Sequence, residues 1–290
     1  MATATATAWT IGRTDTNVST IRLRAESRTW EQWFLLRSDV HHDNPHCRRD
    51  LELAHLKEAK ERGAIVIDCG DLFDAMQGKE DRRACKDSLG DEYKRGDYLD
   101  QLVKVAADFY QPFAHCFGLI GQGNHETAVR NRHETDLTQR LVATLNDRTG
   151  SHIVAGGYTG WISLNIKRAN WKGRRVIWYT HGYGGGGPVT HDVIQANRQR
   201  SYLEGVDYIL SGHTHDSWHL RVARRKLNSH GRIEERMLHH LKLGCYKDDY
   251  GDGSGGWNIE KGHPPKPLGA WWLRLFFRGD ELREQITVAD

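Results

Sequence analysis

Short apolar segments alternate with helical segments along this chain, and that alternation constrains its fold more than any other feature. The run Ala64–Ile67 is continuously apolar, which is typical of a strand buried on both faces of a sheet. Similar strands are predicted at Cys116–Ile120 and Val206–Leu210, with helices between them. From Ser217 onward the pattern indicates strands, ending in Ala270–Phe277. We therefore expect an α/β domain with a mixed sheet system.

The spacing of apolar residues predicts further elements. Helices are predicted at Leu51–Ala59, Tyr98–Phe113, Glu134–Leu145 and Val193–Tyr202. Strands are predicted at Thr20–Asp39, Trp161–Ile166 and Arg175–Tyr179. Gly63 is expected to end the first helix.

The organisation of the chain predicts one domain over residues 19–290. Residues 1–18 are expected to form a frayed tail, since Met1–Ala8 has neither the charged nor the apolar region of a secretory signal. The polar, charge-dense segment at about 76–95 is expected to be an insertion or cap. The Gly- and Pro-rich segment at about 248–267 is expected to be a surface loop.

The composition excludes several classes of protein. The chain has 41 Lys and Arg and 38 Asp and Glu, a formal net charge of +3 that argues against a strongly basic protein but leaves room for a local basic patch. No segment approaches the roughly 20 apolar residues of a membrane-spanning helix, so we expect no membrane partner. The five cysteines are scattered and never spaced C-x-x-C, which indicates a reducing cytoplasm.

Polar clusters follow the predicted strands, where binding sites form in open α/β sheets. The clusters are Asp39-Val40-His41, Gly70–Asp74, Gly123–Glu126, His181-Gly182 and Gly212–His215. In a regular strand His213 and His215 would point to opposite faces, so a shared site requires a turn, which Gly212 could permit. Carboxylate, imidazole and amide donors together suit divalent Mn, Fe or Zn.

These donor types also suit a hydrolytic site with two metal ions. Such a site holds its ions about 3.5–4 Å apart, with oxygen and nitrogen ligands and open positions for water and substrate. One carboxylate must bridge the ions, because two cations this close repel each other unless negative charge lies between them.

Taken in order, the motifs D-x-H, G-D-x-x-D, G-N-H-E, H-G and G-H-x-H resemble those of the calcineurin-like metallophosphoesterase superfamily, over Asp39 to His215. The resemblance implies an α/β fold in which two mixed β-sheets pack face to face with helices outside, a four-layer αββα sandwich.

The resemblance also implies roles for individual residues. The first metal ion would be held by Asp39, His41, Asp71 and His215, and the second by Asp71, Asn124, His181 and His213. Asp71 would bridge the two ions. His125 is similar to the family's histidine that contacts phosphate and acts as general acid.

Two departures bear on the substrate. The Ser/Thr protein phosphatases of this superfamily carry an Arg after their second Asp motif, whereas Asp74 is followed by Ala75-Met76. The segment Gly70–Asp74 is more similar to the DNA double-strand-break repair nucleases. Arg130 and Arg132 would either neutralise substrate oxygens or form a solvated helix start. The glycine run at 182–187 would either bring backbone N–H groups to a phosphate or form a loop beside the site.

The sequence therefore predicts a cytoplasmic, metal-dependent phosphoric ester hydrolase with two divalent ions, Mn²⁺ favoured. A phosphodiester is the favoured substrate, in a nucleic acid or a nucleotide. One alternative is a phosphomonoesterase, including one that acts on phosphoproteins. The other is a non-catalytic scaffold that binds metal and a partner without turnover. The sequence does not indicate the oligomeric state.

Overall fold

Two mixed β-sheets lie at the centre of the computed structural model, which describes residues 9–77, 89–185, 187, 189–251, 257–260 and 262–289. The seven-stranded sheet has the order β1-β2-β7-β8-β9-β11-β10, and the six-stranded sheet has the order β13-β12-β3-β4-β5-β6. The strands are β1 (Trp9–Asp15), β2 (Val18–Arg24), β3 (Glu31–Arg37), β4 (Ile65–Asp68), β5 (Phe117–Ile120), β6 (Val154–Ala155), β7 (Thr159–Arg168), β8 (Trp171–Thr180), β9 (Tyr208–Ser211), β10 (Ser217–Leu227), β11 (Ile233–Leu243), β12 (Ala270–Arg278) and β13 (Glu281–Ala289). The helices are α1 (Arg49–Glu61), α2 (Tyr98–Tyr110), α3 (Asn124–His133), α4 (Leu137–Thr149), α5 (Val193–Tyr202) and α6 (Trp257–Glu260).

Three apolar clusters define the layers. One cluster lies between the sheets, where Ile21 and Leu164 of the seven-stranded sheet meet Phe34 of the six-stranded sheet. A second cluster packs α1, α2 and α4 onto the other face of the six-stranded sheet. In a third, Leu203 at the end of α5 packs with Trp178 on the outer face of the seven-stranded sheet. The four-layer αββα sandwich of two mixed β-sheets flanked by helices is confirmed.

The start of the chain differs from the prediction. Trp9–Asp15 is strand β1, which pairs antiparallel with β2, so the frayed tail predicted for residues 1–18 is wrong for residues 9–18. Asn17, in the turn that joins the two strands, has φ of 57°, a left-handed conformation that Asn adopts more readily than most residues. Residues 1–8 lie outside the described residues.

Other boundaries also differ. The single strand predicted at Thr20–Asp39 is two strands, β2 and β3, because the exposed polar residues 26–29 turn the chain between them. Helix α3 and strand β13 follow no strong apolar pattern and were not predicted. Of the predicted cap and loop, residues 78–88, 252–256 and 261 lie outside the described residues. Within the described part of the predicted loop, Trp257–Glu260 is helical.

None of the helices described is long and apolar enough to cross a membrane.

Candidate metal centre

The carboxyl ends of neighbouring parallel strands bring the predicted site residues together. β3, β4 and β5 run parallel in one sheet, and β8 and β9 run parallel in the other. The site residues follow these ends: Asp39 and His41 after β3, Asp71 after β4, Asn124 and His125 after β5, His181 after β8, and His213 and His215 after β9. Each of them has a side-chain atom within 3.7 Å of another member of the set.

Left-handed backbone turns aim several of these side chains. The φ angles of Asp39, His41 and Asp71 are 54°, 50° and 52°, and those of His213 and His215 are 76° and 58°. Positive φ is uncommon for residues other than Gly and clusters at functional sites. The positive φ angles of His213 and His215 turn the chain within Gly212–His215. This is the turn that the sequence analysis required for both histidines to share one site.

Asp39, His41 and His215 form the first group of donors. Nε2 of His41 lies 3.2 Å from Nε2 of His215, and the same His215 atom lies 3.4 Å from Oδ1 of Asp39. Asp39 and His41 are buried, so bulk water does not screen the group. One carboxylate and two imidazoles within this distance of one another suit a divalent transition metal.

Asp71, His181 and His213 form the second group. Nε2 of His181 lies 3.0 Å from Oδ2 of Asp71 and 3.1 Å from Oδ1 of Asn124. Nδ1 of His213 lies 2.8 Å from the same oxygen of Asn124. The two groups adjoin, since Nε2 of His181 is also 4.0 Å from Oδ1 of Asp39.

Outer contacts orient two of the histidines. Nδ1 of His41 lies 2.8 Å from Oδ1 of Asp74, and Nδ1 of His181 lies 3.3 Å from the carbonyl oxygen of Cys69. In both rings Nδ1 is thus engaged by an acceptor and Nε2 faces the donor groups. Metal-binding histidines almost always donate their other ring N–H in this way, which fixes the tautomer.

Glu126 links the loop that carries Asp71 to the loop before α3. Its carboxylate accepts backbone N–H groups from Gly123, Phe73 and Asp71 at 2.7, 2.9 and 3.2 Å. Burial and the nearby Asp71 carboxylate raise the pKa of Glu126 to about 8. The loops also approach closely at Gly123, where a Cβ atom would collide with Oδ1 of Asp71. Only glycine fits at that position.

The charges of the site favour cations. Burial alone would lower the pKa of His181, but the Asp71 and Asp39 carboxylates outweigh it and raise that pKa to about 9. Burial alone would raise the pKa of both carboxylates, but nearby histidines outweigh it. His181 and His215 lower the pKa of Asp39, and His181 and His125 lower that of Asp71, so both pKa values lie below the usual range. Both carboxylates are therefore ionised at neutral pH.

His125 lies in the first turn of α3, beside both groups. Its Nδ1 atom forms a short hydrogen bond with the backbone carbonyl of Asp74. Its Nε2 atom lies 3.7 Å from Oδ2 of Asp71, so it faces the donor groups. Arg130 and Arg132 are exposed in the last turn of the same helix, and Arg130 contacts Oε1 of Gln122 at 3.3 Å. Their role in substrate binding stays a prediction.

Sequence reasoning missed the supporting residues. Asp74 belongs to the G-D-x-x-D motif, yet it was not assigned to the site. Besides His41, it accepts a hydrogen bond from Nδ2 of Asn44 at 2.9 Å and has Nζ of Lys247 at 3.8 Å. Asp43 accepts the backbone N–H of Asp74 at 2.6 Å. The motif spacing was a signal for Asp74, whereas Lys247 is distant in sequence and had none.

The residues present fit a pair of divalent cations. Carboxylates and imidazoles, most of them buried, converge in the two adjoining groups, and His41, Asp74 and His125 form a third group that shares His41 with the first. The orienting contacts leave Nε2 of His41 and of His181 toward the first two groups. Asp39, His41 and His215 would hold one ion, and His181, His213 and Asn124 would hold the other with Asp71. The bridging position of Asp71 stays a prediction.

Comparisons with known proteins add distant structural neighbours. No family model matches the sequence, and no curated protein matches it. An uncharacterised predicted phosphoesterase from Streptococcus pneumoniae is 10% identical, with 90% of this chain and 91% of that chain covered and a TM-score of 0.33. Zn²⁺-complexed Vps29 from Entamoeba histolytica is 13% identical, with 89% and 99% covered and a TM-score of 0.32. GAP50, the anchor in the inner membrane complex of Plasmodium, is 11% identical, with 89% and 85% covered and a TM-score of 0.40.

Likenesses this distant carry no argument about the activity of this chain. The ordered motifs and the two packed sheets of this chain are those that the resemblance to the calcineurin-like metallophosphoesterase superfamily implies.

Proposed function

We propose that this chain is a dinuclear metal-dependent phosphoester hydrolase that prefers phosphodiesters. The observation that carries the proposal is the adjoining pair of buried donor groups, linked where Nε2 of His181 lies 4.0 Å from Oδ1 of Asp39. A site that only stabilised the fold would not need two such groups side by side at an end of the sandwich. A non-catalytic scaffold is disfavoured because each ligand type that the motifs imply is present.

Divalent ions in such a site supply a water molecule of lowered pKa and neutralise charge on the phosphoryl group. The chain's own residues would hold the ions, orient the histidine rings and donate a proton to the leaving oxygen. The contacts of Asp74 and of the Cys69 carbonyl fix the rings of His41 and His181 before any ion binds. The ionised carboxylates of Asp39 and Asp71 then need no proton removed at neutral pH, whereas His181, with its pKa of about 9, would release its Nε2 proton to bind an ion.

His125 is placed to hold a proton for the leaving oxygen. Its Nδ1–H donates to the Asp74 carbonyl, which fixes the ring with Nε2 toward the donor groups. A protonated Nε2 there can donate to an oxygen of a bound ester, so we assign His125 as the general acid.

The preference for a diester rests on the residues after Asp74. Ala75-Met76 stands where the protein phosphatases of the superfamily have an Arg, so one group that could bind the second charge of a monoester is missing. Mn²⁺ is the ion that we propose first, followed by Fe and Zn, because the donors are carboxylate, amide and imidazole. We also propose a cytoplasmic location, in agreement with the scattered cysteines.

A chromogenic assay tests this proposal. The protein is reconstituted with Mn²⁺, and kcat/KM is measured for a bis-aryl and for a mono-aryl phosphate, with and without EDTA. We expect the diester to be hydrolysed at least as efficiently as the monoester, and EDTA to abolish both activities. A strong preference for the monoester would establish the phosphomonoesterase alternative. No hydrolysis of either ester by metal-loaded protein would favour the scaffold.

A further inference from the structure

The outer face of the seven-stranded sheet carries an array of basic side chains far from the metal centre. The array spans the adjacent strands β2, β7 and β8, whose outward residues there are exposed and line a groove of about 530 Å³. These residues, which we call the basic face, are Arg22, Arg24, Asn165, Lys167, Lys172 and Arg174. The inward residues between them, such as Leu23 and Ile166, belong to the core between the sheets.

The strand register arranges the basic face in two rows. Arg22, Asn165 and Arg174 are aligned across the three strands, and Arg24, Lys167 and Lys172 form the next row. Neighbouring strands lie about 4.8 Å apart, and two residues along a strand span about 6.6 Å. The side chains of five positively charged residues therefore project from an area of the sheet that measures about 10 by 7 Å at the backbone.

No carboxylate neutralises these charges within the described part of the chain. None of the five cations forms an ion pair with another described residue, in contrast to Arg168 and Arg175, which approach Asp280 and Glu284. Like charges directly opposite each other on adjacent strands destabilise a sheet. Lys167 and Lys172 are such a pair, so the stability of the fold does not explain the row.

We propose that the basic face binds the phosphate backbone of a nucleic acid, independently of its sequence. Phosphates are the partner that a dense, unpaired set of Arg and Lys recognises, and contacts to them carry no base information. The face offers no aromatic ring on which bases could stack, and its apolar side chains point inward. A protein that docks on an anionic membrane normally offers apolar side chains for insertion, so that occupant is disfavoured.

The basic face would extend the substrate-binding surface of the proposed activity, and in that respect it rests on the proposed function. Arg174 and His181 are seven positions apart along β8 and its end, which is about 23 Å of extended chain. Because Leu203 at the end of α5 covers Trp178 on this face, a nucleic acid that reaches both places would pass beside α5 and need more than roughly seven nucleotides, at about 3.4 Å of rise per nucleotide. A dinucleotide or a bis-aryl phosphate would reach only the metal centre.

The test compares two charge-reversing double variants. Lys167→Glu/Lys172→Glu changes the basic face, and Lys57→Glu/Lys104→Glu makes the same charge change at exposed lysines of α1 and α2, beside the other sheet. Binding of fluorescent DNA of about 20 nucleotides, single- and double-stranded, is measured by anisotropy between about 50 and 200 mM salt. The proteins are metal-reconstituted and carry His125→Ala, which limits cleavage during the measurement. Hydrolysis of the bis-aryl ester is measured with His125 present.

We expect the basic-face variant to bind DNA more weakly. Its slope of log affinity against log salt should fall by about 0.7–0.9 for each of the two lost contacts. The control variant should bind like the parent, and all proteins with His125 should hydrolyse the bis-aryl ester equally. The same affinity and slope in the basic-face variant as in the control would overturn the proposal. So would binding to phosphatidylserine vesicles that depends on the basic face while DNA binding does not. Failure of the parent to hydrolyse any ester would instead overturn the proposed function, and the binding result would stand apart from it.

Discussion

Nδ1 of His41 lies 2.8 Å from Oδ1 of Asp74, across two loops that follow neighbouring strands. The contact ties the first donor group to the loop that also carries Asp71. Burial lowers the pKa of His41 despite the raising effect of Asp74, so the ring is neutral at pH 7 and ready to bind a cation through Nε2. Asp74 is thus a positioning residue of the metal centre.

Replacement of Asp74 should weaken metal binding without removing a metal donor. We expect Asp74→Ala to reduce affinity for Mn²⁺ by about 10–100-fold, because the ring of His41 loses the partner that fixes its tautomer. Asp74→Asn should lose less, since its amide oxygen can still accept the Nδ1–H. Titration with a competing chelator measures both, with the exposed Asp108→Ala as control. Unchanged affinity in Asp74→Ala would contradict the positioning role.

Asp71→Asn should reduce metal content more than any other single ligand change. The reason is the bridging position proposed for Asp71, which would give its carboxylate contact with both ions. Elemental analysis of the purified variant, beside Asp39→Asn and His215→Ala, provides the comparison. Full occupancy by two ions in Asp71→Asn would show that Asp71 does not bridge.

His125→Ala should separate catalysis from metal binding. We expect the metal content to stay unchanged while turnover falls by about 10²–10⁴-fold, the usual contribution of a general acid. Esters with acidic leaving groups need little protonation, so their loss should be smaller. A series of aryl diesters that differ in leaving-group pKa measures this dependence. Equal losses across the series would leave His125 with phosphate positioning alone.

The sequence predicts the centre of the fold well because local and tertiary preferences agree there. Val193–Tyr202 was predicted with the bounds of α5, and the apolar run Ala64–Ile67 lies within one residue of β4 at each end. The first strand could not be predicted from local pattern. Trp9–Asp15 ends in exposed polar residues, and its strand depends on pairing with β2 and on Trp9 and Ile11 packing against the core between the sheets.

In the candidate site, too, local sequence predicts some features and tertiary contacts determine the others. Its donors stand directly after buried strands, so the motifs place them without knowledge of the fold. Glu126 was visible in the third motif, but its three backbone hydrogen bonds depend on two loops that meet only after folding. The basic face had no motif, because its residues alternate with apolar ones on strands that are far apart in sequence.

A buried ionic network supports the strand that leads to Asp39. Nη1 of Arg37 lies 2.8 Å from Oε1 of Glu52, and Nδ1 of His42 lies 3.0 Å from its other oxygen. The hydroxyl of Tyr110 also donates to Glu52. Burial alone would raise the pKa of Glu52, but His42, Arg37 and Tyr110 outweigh it and lower that pKa to about 2.

The stability of the protein should therefore depend on Glu52 in a defined pH window. Because the folded-state pKa of about 2 is below the usual 4.5, the contribution of Glu52 is complete above pH 4.5 and is lost as the pH falls toward 2. At pH 7, in a chelator, Glu52→Gln should lower the free energy of unfolding in urea by about 1.5–3 kcal/mol, because buried Arg37 and His42 lose the carboxylate that they share, while Arg37 keeps its pair with Asp68 at 2.8 Å. That difference from the parent should shrink as the pH falls through the window. Glu58→Gln, in a partly exposed pair with Arg62 on the same helix, should cost less than about 1 kcal/mol. A difference for Glu52→Gln that stays constant down to pH 3 would show that the charge of Glu52 does not stabilise the fold.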